Sequence, residues 1–270
     1  MTISDPKHFH CELEVTSEDW SQAILFLDEH LPLSKSRIKS AMNAGAVWLL
    51  RGASQERLRR AKAELLPGDR VAVFYNEALI QMPLLGLELV ADRTHYSLWQ
   101  KPEGMMSEGD EWGDWQALDR QVWLHFERQR EVLVLFALAQ EVGGIVLVAH
   151  NRRAAADLSA LEEAGKITRH YRLEVLGETP PSGSINEHSE YRRIDYLTAL
   201  NASVLAVQST RGTEDPLRER LAAMGHPVLG DDVYGRQDYR DHLHLKGVGL
   251  AFTCPFSGES VHFGRTDDAA

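Results

Sequence analysis

The sequence predicts an α+β protein in two parts, and three observations carry that prediction. Short runs rich in Val, Ile and Leu, bounded by glycine, recur along the chain, as buried strands do. Segments with apolar residues at helical spacing interleave with them without the strict alternation of a doubly wound sheet. A helical stretch with a dense basic run precedes the strand-rich remainder. At 270 residues the chain is long enough for a small domain plus a larger one with its own core. Its 43% apolar and 26% charged residues are ordinary for a globular protein.

Residues 1–20 read as a lead-in strand or arm. From Trp20 the spacing of Ala23, Ile24, Leu27 and Leu31 predicts a helix that Pro32 ends. Ser34 suits the N-cap of a second helix over 35–44, and Gly45 its C-cap. A strand over 46–50, a turn at Arg51-Gly52, a long loop over 52–63, a tight turn at 65–69 and a strand over 70–75 complete this part. Residues 77–93 read as a connector, broken by Pro83 and Gly86. Then come a strand over 96–99, a turn at 101–104 and a helix over 118–126.

The stretch 132–151, VLVLFALAQEVGGIVLVAHN, holds two apolar runs, 132–139 and 145–149, read as buried strands around a polar, glycine-bearing break at 140–144. Beyond it the pattern predicts a helix over 154–164, a strand over 171–176 and a polar loop over 179–190. Strands over 194–197 and 204–207 follow, then a helix over 216–224 with Pro216 in its first turn. A turn-rich segment at 226–234 precedes closing strands over 243–252 and 261–263. No internal repeat is present.

Composition and motifs exclude several classes. No apolar run approaches the roughly 20 residues needed to span a bilayer. The start, MTISDPKHFHCELEV, has no basic region followed by an apolar core, so no signal peptide is expected. Two distant cysteines, Cys11 and Cys254, fit a reducing cytosol, and a cytoplasmic location is expected. His8-x-His10-Cys11 and His242-x-His244 lack companions at zinc-site spacing, so no metal is expected. No phosphate-binding G-x-x-x-x-G-K-[ST] or G-x-S-x-G elbow occurs, and Gly247-x-Gly249 lacks the third glycine of a dinucleotide fingerprint. No cofactor is expected.

The net charge of -11 weighs against nucleic acid, yet its distribution matters more than the sum. Within residues 33–62, Lys35, Arg37, Lys39, Arg51, Arg57, Arg59, Arg60 and Lys62 face a single acid, Glu56. Cations and free N–H groups at a helix start bind phosphates, although most charge runs are simply solvated faces. The segments LSKSRIKSAMNAGAVWL and LLPGDRVAV carry a Ser/Arg-rich helix start, a Gly-x-Val turn and a later Gly-Asp before a strand. Together they resemble the αL-type RNA-binding domain over about residues 20–76. Trp48 is bulkier than usual for its position there. The resemblance implies an RNA-docking face including Ser34, Lys35, Arg37, Lys39, Arg51, Arg59, Arg60 and Lys62.

Five later pieces, in order, resemble the A-type, ribosomal-large-subunit group of RNA pseudouridine synthases: KPEGMMSEG (101–109), GGIVLVAHN (143–151), RHYRLEVLG (169–177), MGHPVLGDDVYG (224–235) and LHLKGVGLAFTCPFSGE (243–259). The resemblance implies a mixed, largely antiparallel sheet with flanking helices and a cleft for a flipped uridine. It also implies domains at 1–80 (RNA-binding) and 94–265 (synthase-like), joined by a linker at 81–93. The implied chemistry is attack on the nucleoside by an Asp, with turning of the freed uracil and rejoining through carbon, without a cofactor. A Tyr stacks on the base and a basic side chain pairs with the Asp.

The chain departs from that pattern where the chemistry should lie. Counting back from Gly144, the family's His-Arg-Leu-Asp run reads Phe136-Ala137-Leu138-Ala139, which puts Ala139 at the nucleophile. The Thr-Gly-Arg-Thr-His-Gln segment is disrupted within TRGTEDPLRERLA, with Pro216 near the Gln position. Tyr171 and Arg218 fall on the family's Tyr and basic positions. In an extended segment Glu141 would share a side with Ala139 but stand displaced by about 6.5 Å, where productive geometry tolerates about 0.5 Å. The resulting expectation is an RNA-binding protein, its partner ribosomal or transfer RNA and not a membrane, with the isomerase activity lost or strongly reduced. The alternatives are an active uridine isomerase using another carboxylate such as Glu141, and a scaffold that binds no RNA.

Overall fold

The computed structural model describes residues 5–235 and 242–264, which fall into two units. The first comprises Met1–Leu84 with Glu108–Gln121, and the second Leu85–Ser107 with Val122–Ala270. Segment 108–121, placed by the sequence in the synthase-like domain, therefore folds with the first unit.

That unit begins with β1 (His8–Glu14), followed by α1 (Ala23–His30) and α2 (Lys35–Ala44). Local chemistry sets the limits of α2. The Ser34 hydroxyl accepts the Arg37 N–H at the start, and Gly45 takes the left-handed conformation (φ 81°) that closes the last turn. Next come β2 (Val47–Arg51), β3 (Ser54–Arg57), β4 (Arg70–Asn76) and the short α3 (Glu77–Gln81). The strands pair antiparallel in the order β1-β4-β2-β3. Strand β3 corrects the expected loop: polar on both faces and at a sheet edge, SQER carries no apolar signal. Phe26, Leu27, Ile38, Met42, Val71 and Val73 are buried against one another in the core between helices and sheet. Each such side chain contributes about 1.5–3 kcal/mol of burial.

In the second unit the expected connector contains an exposed edge strand, β5 (Glu88–Asp92), beside β6 (Tyr96–Lys101). After α4 (Leu118–His125), whose residues 118–121 count with the first unit, come β7 (Leu133–Leu135), β8 (Gly143–Ala149), α5 (Arg152–Glu163) and β9 (Ile167–Leu176). The expected polar loop over 179–190 is instead a hairpin, β10 (Ser182–Asn186) and β11 (Ser189–Leu197). Then come β12 (Ala202–Ser209), α6 (Asp215–Ala223), β13 (Leu245–Thr253) and β14 (Ser260–Gly264). The sheet runs β10-β11-β12-β9-β13-β8-β6-β5, with β14 on β13 and β7 on β8. Only the β13–β8 pairing is parallel among the described strands. The architecture is α+β with a largely antiparallel sheet, as the sequence predicts. None of the described helices is long and apolar enough to cross a membrane.

Asp119, in the first turn of α4, gives a pH-dependent expectation. Burial pushes its carboxyl up to about 6, and the nearby Asp114 and Glu108 carboxylates add to the rise. The folded state then keeps a proton that the unfolded chain releases near pH 4, so stability falls as pH rises through about 4 to 6. Asp119→Asn is expected to stabilise the protein by about 1–2 kcal/mol at pH 7 and to flatten that slope. Urea midpoints across this range test it, and a slope unchanged in the variant would count against Asp119.

Candidate active site

The stretch 132–151 is not two matched strands. Its first run pairs only over Leu133–Leu135, because Phe136 turns left-handed (φ 57°) and leaves the sheet. Residues 138–140 are then held from outside. The Ser107 hydroxyl donates to the Leu138 carbonyl (2.7 Å), and the Gln140 carbonyl accepts from the Gly104 N–H (2.8 Å). The buried Lys101 ammonium donates to the carbonyls of Met105 (2.6 Å) and Gln140 (3.3 Å). Burial lowers the Lys101 pKa to about 8, against the pull of the Glu214 and Glu141 carboxylates. The KPEG turn thus fixes the segment on which Ala139 sits.

The carboxylate beside Ala139 comes from a distant segment. A Glu214 oxygen accepts the Ala139 backbone N–H, and Glu214 itself is only 2% exposed. Its second oxygen is buried without a hydrogen-bond partner, as is the Tyr171 hydroxyl on β9. Burial pushes the Tyr171 phenol well up, and Glu214 contributes to that rise, so Tyr171 stays protonated. Arg169 donates to the Gly212 carbonyl and to Glu162, and its guanidinium lies 4.4 Å from the centre of the Phe136 ring. Phe136, Leu138, Arg169, Tyr171, Gly247 and Leu250 help to bound a space of about 10 Å³. That is room for about one water, not for a nucleobase.

The other residues singled out by sequence lie elsewhere. Arg218, at the basic position implied by the resemblance, is bound on both sides: its Nε and a terminal nitrogen donate to Asp231 (2.9 and 2.8 Å), and the other terminal nitrogen to Asp215 (2.8 Å). Glu141 is exposed, and the Val142 N–H bonds back to the Ala139 carbonyl (3.1 Å), so 139–142 is a turn rather than the extended segment assumed for it. Asp232 is exposed. His8 stacks on Trp112 and His10 on Phe74. Cys11 is buried on the opposite side of β1, with its thiol pushed up to about 11 by burial. His242 stacks on His244, whose Nδ1 pairs with Glu174 (3.0 Å).

On the first unit, four of the expected phosphate-binding cations are engaged by acids. The pairs are Lys35–Asp28, Arg37–Glu77, Arg51–Asp69 and Arg59–Asp114. Lys39, Arg60 and Lys62 are exposed, while Ser34 serves as the cap of α2.

Glu214 and Arg169 are the site residues that the sequence alone does not single out. The alteration of the TRGTEDPLRER segment is visible in the sequence, but Glu214 meets Ala139 across 75 positions, and no local pattern signals that contact.

The largely antiparallel sheet, with the KPEG turn and the buried Tyr171 on it, is an RNA pseudouridine synthase-type fold. Residues 95–222 match the family model of RNA pseudouridylate synthase. The chain is 26% identical over 133 residues to an uncharacterized RNA pseudouridine synthase of Chloroflexus aurantiacus, covering 42% of this chain and 41% of that one. It is 26% identical over 163 residues to ribosomal large subunit pseudouridine synthase D of Zymomonas mobilis, covering 48% and 51%. The chain thus spans about half the length of these relatives. Human RNA pseudouridylate synthase domain containing 1 shares the fold, with a TM-score of 0.56 at 18% identity over 67% of this chain and 83% of that one. What the chain shares with RNA pseudouridine synthases is thus the sequence pattern over residues 95–222 and the fold.

Proposed function

We propose that this chain is an RNA-binding member of the RNA pseudouridine synthase family whose isomerase activity has been lost. One observation carries the reading: at the nucleophile position stands Ala139, its N–H capped by Glu214, beside a space of one water. The step needs a carboxylate aimed at an extruded uridine, whereas the Glu214 oxygen that reaches Ala139 is bonded to its backbone N–H. The first unit is proposed as an αL-type RNA-binding domain, supported by the Ser34-capped α2, the left-handed Gly45 and the Gly68-Asp69 turn before β4. Ribosomal RNA is the proposed partner, which the printed name of the Zymomonas relative supports, and the cytoplasm the proposed location.

A second reading keeps the reaction, with Glu214 as the nucleophile. The buried, unpartnered oxygen of Glu214 beside Tyr171 favours it. Incubation with unmodified total RNA followed by pseudouridine mapping separates the two. No new sites are expected, whereas sites that vanish in Glu214→Gln would overturn the proposal. A salt series of RNA shift assays tests partnership with RNA. Affinity that falls with salt is expected, and absent or salt-insensitive binding favours a scaffold that binds no RNA.

A further inference from the structure

Residues 108–114 read EGDEWGD, with four carboxylates, no cation and one indole. They fold within the first unit, onto the end of α2 and the β2–β3 hairpin. The Asp114 carboxylate sits between two guanidiniums, bonded to Arg59 and 3.3 Å from the Arg57 Nε. A terminal nitrogen of Arg57 donates to the Asp110 carbonyl (2.8 Å), and the Trp48 indole N–H to the Glu111 carbonyl (3.0 Å). The Asp114 N–H donates to the Ala44 carbonyl (2.9 Å), and the Trp112 ring stacks on His8 with centroids 4.8 Å apart. The fit is close. A Cβ at Gly45 would meet an Asp114 oxygen at 2.5 Å, and one at Gly113 would meet the Ala44 carbonyl oxygen at 2.7 Å.

This arrangement presents to Arg57 and Arg59 what a nucleic acid presents. It offers an anion between two cations and a carbonyl acceptor beside it. The second oxygen of Asp114 is buried without a hydrogen-bond partner, so the carboxylate is held by charge rather than by a complete set of bonds. An arginine fork of this kind binds phosphate equally well.

We propose that residues 108–114 are an internal nucleic-acid mimic that covers the Arg57–Arg59 phosphate site of the first unit and is displaced by RNA. The proposal rests on the RNA-binding reading and adds that the face is occupied at rest. Lys39, Arg60 and Lys62 remain exposed for the first encounter. Displacement then releases two arginines for two phosphates.

Purified bulk ribosomal RNA, titrated across salt, tests this in a double-mutant cycle of Asp114→Asn and Arg59→Gln. Asp114→Asn is expected to bind about tenfold more tightly at low salt, with the log–log salt slope steeper by about 1.5 for two added phosphate contacts. Arg59→Gln is expected to weaken binding in both backgrounds, but several-fold more in the Asp114→Asn background, where it removes most of the gain. Equal effects of Arg59→Gln in both backgrounds, or unchanged affinity in Asp114→Asn, would make the contact a permanent staple and overturn the proposal while leaving RNA binding intact. Binding by none of the proteins overturns both readings. Hydrogen exchange on the wild type needs no substitution. Saturating RNA is expected to release the protected Asp114 amide, and protection that persists counts against displacement.

Discussion

Asp231→Ala is expected to destabilise the second unit by about 3–5 kcal/mol, the cost of breaking a buried ion pair from one side. Asp231 is 1% and Arg218 6% exposed. Besides the two Arg218 bonds, the carboxylate accepts the N–H groups of Val233 and Tyr234, each at 3.0 Å. Removing it leaves two backbone donors and half a guanidinium without partners in an apolar setting. The remaining Asp215 contact, on a side chain 58% exposed, compensates little. Burial alone would push the Asp231 carboxyl up, but the bonds from Arg218, Tyr234 and Val233 outweigh it and hold the group below the usual carboxylate range. Between the folded and unfolded pKa values the unfolded chain therefore binds more protons. This part of the stability is present above about pH 4 and lost as pH falls below it. Urea unfolding at pH 7 and below pH 4 should show the wild type and Asp231→Ala converging in acid. A loss under about 1 kcal/mol at pH 7 would refute a structural role for this pair and return Arg218 to the cleft.

That pairing also marks what the sequence can express. Signals carried by neighbours in the chain are legible: Ser34, Gly45 and the apolar spacing between them place α2 over the same residues as the structure does. Strands are legible where buried apolar residues dominate, as in β4 and β12, and not where exposed polar residues do, as in β3 and β10. The run 132–139 reads as too long a strand because its departure from the sheet is imposed by Lys101 and Ser107, over 30 residues away. For the site, the sequence offers Ala139 as the proposed nucleophile position by counting alone. Its consequence is not legible, because Glu214, Asp231 and Asp114 each find their partners through the fold.

Ala139→Asp, which puts an Asp where the proposed reading expects the nucleophile, is expected to produce no pseudouridine and to cost about 2–4 kcal/mol. Three features of the site oppose it. The new carboxylate would stand on a residue whose own N–H is bonded to the buried Glu214, so two like charges would be neighbours with one of them out of solvent. The basic partner it needs, Arg218, is committed to Asp231. The neighbouring cavity of about 10 Å³ admits no base. One carboxyl of the pair must keep a proton in the folded state, at a pKa above its unfolded value. The stability deficit should therefore be full near pH 7 and shrink as pH falls toward about 4. Adding Glu214→Gln removes the second charge and should recover most of the loss. If the double variant regains stability yet modifies no uridine, a carboxylate at position 139 is not sufficient for the reaction while Arg218 is held by Asp231. Pseudouridine produced by Ala139→Asp alone would show instead that the cleft opens on RNA, and that the missing carboxylate is all that separates this chain from catalysis.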